Sequence, residues 1–133
     1  MSDLIEMLET TYGEKLPAAY REFIDQSLYQ NFNEKRPPQL PGWAAEMSYP
    51  LCFDPEVVVE VFGNKQIWNS SADFQRFLPL ACFLRDDKPN QLSDLDDFLA
   101  FEKNEECAVY LWDHDGEFRK VTSSLERFLS LLR

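Results

Sequence analysis

Asp113, His114 and Asp115 stand side by side in the stretch VYLWDHDGEF, residues 109–118, and His114 is the only histidine of the chain. An imidazole between carboxylates is the raw material of a metal site, or of a general base oriented by an acid. Local backbone geometry works against both. The residues up to Trp112 and again after Gly116 read as paired strands, and neighbouring residues of a strand point to opposite faces. If the hairpin closes with a two-residue Asp115-Gly116 turn, Asp113 and His114 diverge, His114 faces Glu117 and Trp112 faces Arg119. If it closes with a type I turn and Gly116 in the left-handed position, Asp113 opens the turn and His114 sits at its tip. Either way DHDG is turn chemistry. The spacing D-x-[DN]-x-[DN]-G of a calcium loop is not met, because Gly116 already follows the second acid, Asp115, where the pattern needs a third. A small metal-dependent hydrolase built on Asp113, His114 and nearby acids is therefore the minor reading.

Thiols are the next candidates. Cys52, Cys82 and Cys107 are odd in number, far apart in sequence and set in apolar surroundings. That pattern is neither a disulfide framework nor a zinc or redox motif. It predicts buried free thiols in a reducing cytoplasm. A nucleophilic Cys82 or Cys107 would have to borrow His114 as its base. The four glycines form neither GxGxxG nor GxxxxGK, so no phosphate-cradling loop is present. No cofactor and no metal are expected.

Charge speaks more clearly about partners. The formal net charge is −11 over 133 residues. This disfavours nucleic acid and anionic membrane surfaces, which require clusters of Lys and Arg, and suits a basic partner. The acids are concentrated. Residues 85–106 carry eight (Asp86, Asp87, Asp94, Asp96, Asp97, Glu102, Glu105, Glu106) against three bases, Arg85, Lys88 and Lys103. Within it the run SDLDD, 93–97, could bind a divalent cation or face a basic partner, but a solvated loop is the preferred reading. No stretch approaches the roughly 20 apolar residues of a membrane span, and MSDLIEML lacks the basic start of a signal peptide.

The elements that must position these groups follow from periodicity. The length suits a single domain, 1–133, and the 44% apolar content suits a buried core. Leu4, Met7 and Leu8 share a helical face behind a Ser2 cap, and Gly13 stops that helix. In LPAAYREFIDQSL, 16–28, Pro17 suits the first helical position, and Tyr20, Phe23, Ile24 and Leu28 recur at helical spacing. The prolines of RPPQLPGW, 36–43, exclude regular structure and leave a loop ahead of Trp43. DPEVVVEVFGN, 54–64, combines a helix start with valines alternating like a strand; a helix ended by Gly63 is preferred. SADFQRF, 71–77, suits a helical turn. FLPLACFL, 77–84, reads as a buried strand disturbed at its start by Pro79, and RDDKPNQLSDLDD as a loop. DFLAFE, 97–102, ECAVYLWD, 106–113, and EFRKVT, 117–122, are further strands, the second apolar on both faces and hence central and covered. Ser123 and Glu126 form a capping box for a last helix whose Leu125, Phe128, Leu129 and Leu132 lie on one side. Helices, then an antiparallel sheet of about four to six strands, then a closing helix make an α+β fold with helices covering the sheet.

The order of these pieces resembles the SUKH superfamily, whose members include bacterial immunity proteins of polymorphic toxin systems and fungal cell-wall-synthesis regulators. LPAAYREFI, 16–24, is similar to that family's early Leu-Pro-x-x-Tyr-x-x-Phe helix; FLPLA, 77–81, to its strand entering the sheet; AVYLWDHDGEF and SSLERFLSLL, 108–118 and 123–132, to its late hairpin and closing helix. The chain departs from the pattern twice. SLYQNFNEKRPPQLPGW stands where Asn-Gly-Gly is common, and RDDKPNQLSDLDDF where a Gly-Asp pair is common. These are the segments expected to vary with the partner. The resemblance implies a non-enzymatic protein-binding module in a bacterial cytoplasm. Its partner would be a basic toxin domain of nuclease or deaminase class, neutralised by steric and electrostatic occlusion. A regulatory scaffold outside toxin systems is the alternative. Asp86, Asp87, Asp94, Asp96 and Asp97 are the candidate contacts, with Trp43 and Trp68 as aromatic anchors.

Overall fold

A computed structural model describes residues 3–36, 49–62, 76–85, 87–88, 90–93, 97–112 and 118–132. Among them run α1 (Asp3–Tyr12), α2 (Ala18–Asp25), α3 (Tyr29–Phe32), β1 (Leu51–Cys52), α4 (Pro55–Phe62), β2 (Phe77–Phe83), β3 (Phe98–Glu102), β4 (Val109–Trp112), β5 (Phe118–Thr122) and α5 (Leu125–Leu131). The five strands form one antiparallel meander in the order β1-β2-β3-β4-β5. This is the expected α+β architecture. The Ser2 cap, Gly63 and most of the proline-bearing loop and of the 71–77 turn lie outside the described residues.

The helices are bounded by local chemistry. Gly13 takes φ 74, and both Gly13 N and Glu14 N donate to the Glu9 carbonyl, which closes α1 as expected. Pro17 stands one place earlier than its sequence suggests, as the residue before the first turn of α2. The predicted helix over 16–28 is shorter, because Ser27 adopts φ 55 and turns the chain. Ser27 N donates to the Ile24 carbonyl and Leu28 N to the Phe23 carbonyl, both at 3.0 Å. That pair of bonds is a Schellman closure with serine at the position glycine prefers. α3 then follows, a single turn too short to leave a periodic signal.

The 54–64 ambiguity resolves as helix. Asp54 caps α4, its side chain accepting from Glu56 N at 3.1 Å and its carbonyl from Val58 N at 3.0 Å. Val58 points into the core while Val61 is exposed. For α5 the cap is Ser124, not Ser123: its hydroxyl accepts from Arg127 N at 3.1 Å. The reason lies upstream. Thr122 Oγ1 donates to the Ser124 carbonyl and Leu125 N to the Glu106 carbonyl, which hold the chain extended until Ser124.

Every residue of β2 is buried. Pro79 pairs with Ala100 and Ala81 with Leu99, so Leu80 is an extra residue in this strand. The bulge shifts the parity of the side chains. Leu78, Leu80, Ala81 and Phe83 all join the main core under the helices, while Phe77 joins a smaller cluster with Phe98 and Ala100. A disturbance near Pro79 was expected; what it does is place two consecutive core residues on one face. The main core is aromatic. Tyr20 of α2 stacks on Phe101 of β3 with 4.4 Å between ring centroids, and Phe23 meets Phe53 at 5.7 Å edge to face.

β4 is not covered alike on both sides. Val109 and Leu111 are buried in the main core, whereas Tyr110 and Trp112 are half-buried and pack with Phe118 over the smaller cluster. Trp112 pairs with Phe118, which rules out the register that sets it opposite Arg119. β1 went unpredicted because two residues carry no alternation to read.

Phe101→Ala is expected to cost about 3–5 kcal/mol of stability, read as a lower midpoint in urea at unchanged slope. Ser27→Gly should relieve the left-handed strain and raise stability by about 0.5–1 kcal/mol, read as a higher Tm; an unchanged or lower Tm would show the turn to be unstrained.

Candidate functional site

The described thiols are inert. Cys52, Cys82 and Cys107 are all free and buried, as their apolar settings predict. Burial pushes the Cys82 thiol far up, with a further contribution from Cys52, its cross-strand partner. Burial also raises the Cys52 thiol and pushes Cys107 up to about 11, against a backbone hydrogen bond that lowers it. A thiol that stays protonated near neutrality is a packing group, not a nucleophile. Among the described residues no cluster of three or more His, Cys, Asp or Glu side chains could hold a metal ion. Asp113, His114 and Asp115 lie outside the described residues.

The acidic segment is divided by the fold. From the end of β2 the chain turns sharply: Arg85 N donates to the Gln91 carbonyl at 2.7 Å, and Ser93 N to the Phe83 carbonyl at 2.9 Å. Asp87 is carried on this turn with 65% of its side chain exposed. Arg85 grips it with two bonds, Nε to Oδ1 at 3.1 Å and Nη2 to Oδ2 at 3.0 Å. That guanidinium holds the Asp87 carboxyl below the usual range. Glu105 and Glu106 are also exposed, but they lie in the turn after β3. Between them β3 runs the length of the sheet, roughly 15 Å for five residues. The acids that are continuous in sequence thus reach opposite ends of the sheet. Glu102 is answered by Arg76 at 2.6 Å.

Asp97 departs from its expected place. It is 1% exposed, so its side chain is no part of the outer surface. It stands at the entry to β3, the middle strand of the sheet. Asp86, Asp94, Asp96, Trp43 and Trp68 lie outside the described residues.

A second feature escaped sequence reasoning. α2 and α5 flank a groove of about 360 Å³. Ala19, Phe23, Leu28, Leu125 and Leu129 supply its apolar lining, and Glu22 and Glu126 its carboxylates. The Schellman turn makes part of it by folding Leu28 back beside Phe23. Ala19 makes another part by being short. Each helix alone reads as an ordinary amphipathic segment; only their pairing creates the groove.

The family model of the SMI1 / KNR4 family (SUKH-1) matches residues 2–131, nearly the whole chain. The chain belongs to the SMI1/KNR4 family. No curated protein and no solved structure matches it significantly. Membership agrees with the fold: helices on an antiparallel sheet, closed by a C-terminal helix. SMI1/KNR4 membership also supports a protein-binding role, immunity or regulatory in general character, in a family that is generally non-catalytic. Among the described residues no helix is long and apolar enough to cross a membrane.

The thiol geometry has a measurable consequence. Unfolded cysteine ionises near pH 8.5, while folded Cys107 keeps its proton to about 11. Between these values the unfolded chain releases protons that the folded chain retains, so stability falls as pH rises through this window. Native protein at pH 8 should therefore resist a thiol-specific reagent and become reactive only on unfolding, with a lower urea midpoint at pH 10 than at pH 8. Rapid native labelling would contradict the burial.

Proposed function

We propose that this SMI1/KNR4 protein is a bacterial, cytoplasmic immunity protein that binds a cognate toxin domain and neutralises it by covering its working surface. The observation that carries the reading is the family match over residues 2–131, joined to a net charge of −11. A nuclease or deaminase that handles nucleic acid presents basic surface, and an acidic inhibitor is drawn to it by complementary fields. The proposed contacts are Asp86, Asp87, Asp94 and Asp96, with Trp43 and Trp68 as anchors. Asp97 is left out because it is buried. Asp87 can exchange its arginine for a basic group on the partner at little cost, since an exposed ion pair contributes little to stability.

The test begins at the neighbouring genes, one of which should encode the toxin domain on this reading. Co-expression should restore growth, and the purified pair should associate quickly at low salt. Reversing Asp86, Asp87, Asp94 and Asp96 to lysine should slow association by about tenfold or more and flatten its salt dependence. Growth that is not restored would overturn the immunity reading and favour a regulatory scaffold. Association indifferent to charge reversal would overturn the acidic contact surface.

A further inference from the structure

We propose that the groove between α2 and α5 is a docking site for a basic amphipathic helix of a partner protein. The inference rests on the protein-binding reading and names a surface and a ligand chemistry for it. The groove has a volume of about 360 Å³. Phe23 and Leu125 are each 2% exposed and form a firm apolar floor, while Ala19 and Leu129 are half-buried and leave the groove accessible.

The occupant's backbone follows from the walls. Both walls are helices, whose main-chain groups are mostly bonded within the helix. An extended segment laid here would find no sheet edge to pair with, and its own N–H and C=O groups would go unmatched. A helix satisfies its backbone internally and offers apolar side chains at i, i+3, i+4 and i+7 to such a groove. The occupant's charge follows from the rim. Glu22 and Glu126 line the groove, and among the described residues no Lys or Arg does. Gln26 Nε2 donates to Glu22 Oε1 at 3.0 Å, which fixes that carboxylate without neutralising it. A second copy of this chain, itself at −11, is disfavoured by repulsion. Lysines or arginines flanking an apolar stripe are the matching pattern.

The probe is a synthetic peptide of about 18 residues made of leucine and lysine, with leucines at helical spacing. It is titrated into the isotope-labelled full chain and followed by NMR. Shifts should gather on Ala19, Leu28, Leu125 and Leu129. A peptide of the same composition with scrambled order should bind at least about tenfold more weakly. Ala19→Leu plugs the groove from a half-buried helical position that leucine tolerates well, and should weaken binding by about tenfold or more. Glu22→Lys combined with Glu126→Lys should do the same without touching the floor. Shifts centred on Asp87 instead, equal binding of the scrambled peptide, or full affinity in Ala19→Leu would overturn the proposal. Toxin neutralisation is read separately in cells. A chain that neutralises its toxin but ignores the peptide refutes the groove alone, and one that takes the peptide but neutralises nothing refutes the immunity reading alone.

Discussion

Tyr20 and Phe101 lie ring on ring, 4.4 Å between centroids and 26° apart in plane. Phe101 belongs to β3, the middle strand, and Tyr20 to α2, so this stack joins the helical layer to the centre of the sheet. Both residues are almost fully buried. Around them the aromatic core extends through Phe23, Phe53 and Phe128, which brings α2, the segment after β1 and α5 into one cluster. With α2 held on the sheet and α5 packed by Phe128, the space between these helices is set by the side chains that line it. A short Ala19 and the inward fold of Leu28 leave that space open. The groove is thus a by-product of how the core anchors its helices.

The sheet solves a different problem. A strand with a proline near its start loses a ladder bond there, and β2 absorbs this with one extra residue between Pro79 and Ala81. Without the bulge, strict alternation would turn Ala81 and Phe83 away from the helices. With it, the strand serves the main core at both ends. The opposite face carries a cross-strand row of Cys52, Cys82, Phe98, Trp112 and Phe118. Its two cysteines are therefore packing residues at one end of an aromatic row, and their raised thiol pKa values are a consequence of that packing.

Electrostatics is organised by topology more than by composition. The chain is strongly acidic, and its densest run of carboxylates reads as one patch in sequence. β3 cuts that run, buries Asp97 at its entry, and delivers Glu105 and Glu106 to the far end of the sheet from Asp87. Two of these acids are matched within the chain: Asp87 by Arg85 and Glu102 by Arg76. Among the described acids of the run, Asp87 and the Glu105–Glu106 pair are therefore separate local features of the surface.

Much of this fold was legible in advance. The helical spacing of Tyr20, Phe23 and Ile24, the Asp-Pro-Glu start of α4, the apolar runs of β2 to β4 and the stripe of α5 each depend on local periodicity, which the sequence carries in full. α3 and β1 were not legible, since four and two residues are too few to show a period. Ser123 looked like the cap of α5 because the S-x-x-E spacing fits, but hydrogen bonds from Thr122 and to Glu106 moved the start by one residue. The sequence alone determined the fold class, the family pattern, the negative charge and the buried thiols, because these are properties of composition and short-range order. Only the tertiary structure decided that Asp97 is interior, that the acidic run is divided, and that Glu22 and Glu126, far apart in the chain, border one apolar groove. Those outcomes depend on which elements pack against which, and long-range packing leaves no mark in the spacing of neighbouring residues.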